Sequence, residues 1–176
     1  DYDKNIAALK EVQPAPIKAS DIAVRIGTSW IDKEIYKEFF CQLIDMPYYM
    51  RDGIELYYNK HDSSWRVDRT TSYAKNYRSM KITNVYGTSR ANAYRLFEDC
   101  LNQRFTQIYD TVLDEDGREK RVLNQSETVA AREKQNKIKE AFKDWIFTSP
   151  VRRDELETIY NRLFNQIRLP KYDGSY

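Results

Sequence analysis

The residues with chemistry to offer in this chain are cations set among aromatics. Between positions 66 and 95 stand Arg66, Arg69, Lys75, Arg78, Lys81, Arg90 and Arg95 against a single acid, Asp68, a net +6 in thirty residues. Trp65, Tyr73, Tyr77, Tyr86 and Tyr94 are interleaved with them. Lys and Arg neutralise phosphates and release counterions, while aromatic faces can stack on unpaired bases. The stretch points to nucleic acid, with Arg66, Arg69, Lys75, Arg78, Lys81 and Arg90 as candidate phosphate contacts. A plainer reading puts Trp65 and Tyr94 in the core and leaves the cations on a solvated face. Cations without a groove-reading element locate a DNA backbone but specify little of its sequence.

A second group is acidic. Asp110, Asp114, Glu115 and Asp116 occur with no base among them. Asp110, Asp114 and Asp116 are expected on one face of a strand, with Glu119, Lys120 and Arg121 across a hairpin. A nuclease could use such carboxylates for Mg²⁺. Acids beside an Asp-Gly turn are also ordinary turn chemistry. The sole histidine, His61, falls in a predicted turn, which nearly excludes a histidine-based triad or a multi-histidine zinc site. Neither GxxxxGK[ST] nor GxGxxG occurs, so a phosphate-binding loop and a dinucleotide site are unsupported.

Several elements must position these groups. A short helix is expected at Asn5–Val12, broken by Gln13-Pro-Ala-Pro16. Ser20 is expected to cap one or two turns closed by Gly27, and Asp32 a firmer helix reaching about Ile44. IELYYNK and SWRVD read as a hairpin joined by residues 60–63. A short strand is expected at Met80–Val85, followed by a helix capped by Thr88. TQIYDTVLD and REKRVL flank Asp116-Gly117 as a second hairpin. Asn124 then caps a helix with Glu127 placed for a capping box and Ile138, Phe142, Trp145 and Ile146 on its apolar face. Ser149-Pro150 starts a last helix, whose predicted inner face holds Leu156, Ile159, Tyr160, Leu163, Phe164 and Ile167. Its basic residues, like those of the helix before it, are interspersed with acids and read as a solvated face.

The order predicts an α+β class: a small, mostly antiparallel sheet built from two hairpins, packed with amphipathic helices and ending in a two-helix hairpin. With 176 residues, 41% hydrophobic and 32% charged, the chain can bury a real core, and its net charge of +2 conceals the local asymmetries. No run approaches the ~18 apolar residues that a membrane span requires. Cys41 and Cys100 are expected as buried free thiols in a reducing compartment, the cytoplasm. The first residue is Asp rather than Met, and the chain reads as cut from a longer polypeptide.

Long phrases resemble one family: LKEVQP (9–14), DIAVRIGTSWI (21–31), YGTSRANAYRLFEDCLN (86–102), VLNQSETVAAREKQNKIKEAFKDWIF (122–147) and RRDELETIYNRLFNQIRLPKYDGS (152–175). They resemble the region between the modules of very large N-6 adenine DNA methylase–helicase proteins of phages, plasmids and integrative elements. There a methyltransferase with an NPPY motif precedes, and a Swi/Snf-like superfamily-two motor with a Walker A loop follows. Neither motif occurs in these residues, so no catalytic residue is carried over. The resemblance implies a middle domain: 1–19 a linker or tail of a preceding domain, 20–168 a single domain, and 169–176 a tail leading toward the motor. The expected function is non-catalytic, with no cofactor and no metal. Expected partners are the DNA backbone and the adjacent methyltransferase and helicase modules. One alternative is a structural spacer docking on the motor; another is a metal-dependent nuclease using Asp110, Asp114 and Glu119.

Overall fold

The computed structural model describes residues 14–165. The expected helix at Asn5–Val12 and the tail at 169–176 lie outside them. The chain divides into two compact units, one spanning Val24–Ile146 and the other formed by the two ends, Asp1–Ala23 and Phe147–Tyr176.

In the larger unit Asp32 caps α1 (Lys33–Leu43), its carboxylate accepting from the Glu34 N–H at 2.7 Å. Strand β1 (Ile54–Asn59) pairs antiparallel with β2 (Ser64–Arg69), which α2 (Ser72–Asn76) follows. Next come a π turn at Lys81–Val85 and α3 (Ala93–Leu101). Strands β3 (Tyr109–Leu113) and β4 (Glu119–Leu123) form the second antiparallel hairpin, and α4 (Gln125–Trp145) closes the unit. The fold is α+β, as composition and turn chemistry predict. The two hairpins form two separate two-stranded sheets.

An aromatic core holds α1, β1, β2, α3 and α4 together. Tyr36, Phe40, Phe97 and Phe142 are fully buried. Phe40 stacks on Phe97 with centroids 4.4 Å apart, and Tyr36 on Phe142 at 5.4 Å. Such contacts contribute about 0.5–1.5 kcal/mol each beyond area burial. Gly27 threads this core: its carbonyl accepts from Trp65 Nε1 at 2.9 Å and its N–H donates to the Tyr36 hydroxyl at 3.0 Å. Its φ is +97°, and a Cβ there would lie 2.1 Å from the Leu101 carbonyl oxygen. Only glycine suits that combination. Gln135, fully buried, uses both ends of its amide, accepting from the Thr106 N–H at 3.0 Å and donating to the Arg104 carbonyl at 2.9 Å.

Four local expectations change. Glu127 forms no capping box, because the Asn124 N–H donates to the Ile108 carbonyl at 2.8 Å. Residues 20–27 form no capped helix: a 3₁₀ turn covers Ala19–Asp21, and Ile22, Val24 and Ile26 then alternate inward with exposed neighbours. That two-residue period suits β-branched side chains. Met80–Val85 is not a strand, because the Tyr86 N–H closes a π turn on the Lys81 carbonyl at 2.9 Å. Thr88 is spent on its own turn, accepting from the N–H groups of Arg90 and Ala91. Asn92 caps α3 instead.

The smaller unit is built on α5 (Pro150–Phe164). Ser149 accepts from the Arg152 N–H at 3.3 Å, and proline stands in the first turn. Leu156 is buried, Ile159 and Tyr160 are half-buried, Leu163 and Phe164 are exposed, and Ile167 lies outside the described residues. The helix holds its neighbour with polar groups: Glu157, Asn161 and Asn165, spaced four apart, bond the backbone of Ala19, Ile17 and Ala15. Asn161 pairs with both Ile17 N–H and C=O, at 2.7 and 2.9 Å, as a neighbouring strand would.

Candidate nucleic-acid interface

Strand β2 is held on its outer edge by side chains of α3 and its C-terminal cap. The Val67 N–H donates to Glu98 Oε2 at 2.9 Å, and Asn102 exchanges two hydrogen bonds with the Trp65 backbone at 2.6 and 2.8 Å. These bonds satisfy an edge that would otherwise present unpaired groups. They also set β2, α2 and the start of α3 around an open groove of about 690 Å³, lined by Asp68, Arg69, Lys75, Arg90, Asn92, Tyr94, Arg95 and Glu98 among others. Four cations and two acids border it, Glu98 already engaged by the β2 backbone and Asp68 with its side chain on the other face of the strand.

The structure brings together three of the six predicted contacts. Arg69 lies over the ring of Tyr94, 4.4 Å from its centroid. Lys75 is exposed at the end of α2. Arg90 is partly committed: it pairs with Asp110 at 2.7 Å and donates to the Tyr109 carbonyl at 2.9 Å, clamping the base of the second hairpin. The Arg90 and Asn124 hydrogen bonds hold the Asp110 carboxyl below its usual pKa. Arg95, counted in the basic stretch but not among those six, supplies the fourth cation; its guanidinium donates to the Gln107 carbonyl at 3.2 Å.

The other three lie elsewhere. Arg66 shares the opposite face of β2 with Asp68 and lies over Tyr57, its cross-strand partner, at 4.6 Å. Residues 66 and 69 are an odd number apart, so a strand must send them to opposite faces. Arg78 donates to the carbonyls of Lys75 and Tyr77 at 3.1 and 3.3 Å, finishing α2. Lys81 sits 5.8 Å from the Tyr86 ring centroid, and Lys137 of α4 lies 5.9 Å from the same ring.

The interleaved aromatics divide as well. Trp65 and Tyr94 are core residues. Burial pushes the Tyr94 phenol up to about 12, against the pull of Arg69, and among the described residues its hydroxyl has no hydrogen-bond partner. Sequence reasoning missed the most exposed aromatic pair among the described residues: Tyr48 and Tyr49, at 84% and 77%, on a 3₁₀ turn (Tyr48–Gly53). Their signal was present as two aromatics between Pro47 and Gly53, in no periodic run.

The carboxylates expected to suit a nuclease do not assemble. Asp110 is taken by Arg90 and Asn124, and Asp114 lies in the turn beyond β3, accepting from the N–H groups of Asp116 and Arg118 at 2.9 and 2.8 Å. Among the described residues no three His, Cys, Asp or Glu side chains are grouped to hold a metal ion. Nor is any helix there long and apolar enough to cross a membrane. Both cysteines are buried and unbridged, their thiols pushed up by burial to about 11 at Cys41 and about 12 at Cys100.

No curated protein and no solved structure matches the chain. Residues 25–166, most of the sequence, match the family described as a domain of unknown function (DUF8437), and the chain belongs to that family.

Proposed function

We propose that this chain is a non-catalytic DNA-contacting domain that holds a phosphate backbone in the groove between β2, α2 and α3. The setting proposed is the middle of a methylase–helicase protein in the cytoplasm. One observation carries the reading: Arg69, Lys75, Arg90 and Arg95 line a single open groove against only Asp68 and Glu98. A concave surface rich in one sign of charge concentrates a polyanion.

The test is a salt-titrated binding assay on the full chain. Replacing Arg69, Lys75 and Arg95 together by glutamine is expected to flatten the log affinity–log salt slope by about two to three, since each phosphate contact contributes about 0.7–0.9. No binding at low salt, or the same slope in the variant, would refute the reading.

A second reading, coupling to an adjacent protein module, is favoured by the β3–β4 hairpin. It is exposed along almost its whole length, including Val112, Leu113, Val122 and Leu123. Its tip carries Asp114, Glu115 and Asp116, which repel phosphate.

A further inference from the structure

Beside the groove lies a surface that a phosphate-binding role does not use. Tyr48 and Tyr49 project from a turn whose neighbours Met46 and Gly53 are buried, so the turn is fixed while both rings remain in water. Arg51 anchors it, donating to the Met46 carbonyl at 3.2 Å with its guanidinium 5.2 Å from the Tyr48 centroid. Helix α2 joins this turn to the groove: Tyr73 donates its hydroxyl to Asp52 at 2.7 Å, and Lys75, two residues on, lines the groove. The turn therefore packs on the same short helix that supplies Lys75 to the groove.

We propose that the DNA held here is single-stranded and that Tyr48 and Tyr49 stack on its unpaired bases. The inference rests on the DNA-contacting reading and adds the form of the substrate. A duplex hides its base faces within its own stack, whereas a single strand offers every base to an aromatic platform. The ribbon best shaped to enter a duplex groove, β3–β4, is acidic at its tip. Tyr48 also lines a second groove, where Glu34, Glu38 and Asp52 outnumber Lys37 and Arg51 and repel a phosphate backbone from α1.

The test compares a fluorescein-labelled twenty-nucleotide oligo-dT with a mixed-sequence duplex of equal length, using the full chain. The expected result is preference for oligo-dT. Tyr48→Ala with Tyr49→Ala should weaken oligo-dT binding about tenfold or more, leaving the salt slope and duplex binding unchanged. Tyr48→Phe with Tyr49→Phe should keep the affinity, because the ring face is retained. Both rings are solvent-facing, so the alanine pair should fold, as circular dichroism would confirm. If the alanine pair binds oligo-dT like the parent, or duplex binds as well as single strand, the stacking inference fails while the DNA reading stands. No binding of either probe at low salt overturns both.

Discussion

Tyr94 shows how one side chain can serve packing while leaving a polar group unsatisfied. Its ring contacts Phe40 at 5.1 Å and supports Arg69, yet its buried hydroxyl has no hydrogen-bond partner among the described residues. A buried donor without a partner costs about 1–3 kcal/mol. Tyr94→Phe keeps the ring and removes the orphan, so the variant is expected to match or exceed the parent in stability by up to about 1 kcal/mol. Urea melts would show it, and a clear loss would mean that the hydroxyl has a partner after all. Groove cations were harder to read from sequence. The run of positive charge between 66 and 95 was plain, but the guanidinium groups are engaged in different ways. Arg69 covers a ring, Arg78 finishes α2 and Arg90 clamps a hairpin. Composition reports charge; only neighbours report whether it is spent.

At the scale of elements the two hairpins behave differently despite similar sequence signals. β1–β2 buries Ile54, Leu56 and Trp65 and is braced by Glu98 of α3 and by Asn102, which caps the helix's C-terminal end. Among the described residues β3–β4 is tied only at its base, by Arg90 to Asp110 and the Tyr109 carbonyl, Asn124 to Asp110, and the Asn124 N–H to the Ile108 carbonyl. A two-stranded hairpin with no buried face is marginal by itself. Hydrogen exchange should therefore run about a hundredfold or more faster toward the tip of β3–β4 than in β1–β2. Equal protection of the two hairpins would mean that a surface covers the second. Caps were legible at Asp32, Asn124 and Ser149, each directly before a long amphipathic run, and were missed at Thr71 and Asn92. They misled at Ser20 and Thr88, where several competing turns were locally possible.

For the whole molecule, burial of ionisable groups sets an alkaline limit. Tyr36 and Tyr94 are raised from 10.0 to about 12, Cys41 from 9.0 to about 11 and Cys100 from 9.0 to about 12, in every case chiefly by desolvation. The folded chain therefore keeps these protons longer than the unfolded chain. Stability from this source is fully present below about pH 9, where both states are protonated. It is lost as pH climbs from about 9 toward about 12 and the unfolded state ionises first. Each group contributes a slope of up to about 1.4 kcal/mol per pH unit within its window. The midpoint of urea unfolding is expected to be level from about pH 7 to about 8.5 and to fall steeply above about 9.5. A level midpoint to about pH 11 would contradict the burial of these four groups.

The sequence by itself determined the α+β class, the hairpin pairs, the buried thiols and three helix starts, because periodicity and capping depend on residues a few positions apart. The tertiary structure alone decided which cations share a groove, since that depends on strand faces and on partners such as Asp110, twenty residues from Arg90. It likewise decided that residues 15–19 lie along α5 through Asn161, a pairing 144 positions apart at Ile17 that no local pattern encodes. Tyr48 and Tyr49 stand between these cases: the sequence names the two rings, but only the packing of Met46 and Gly53 leaves them in water.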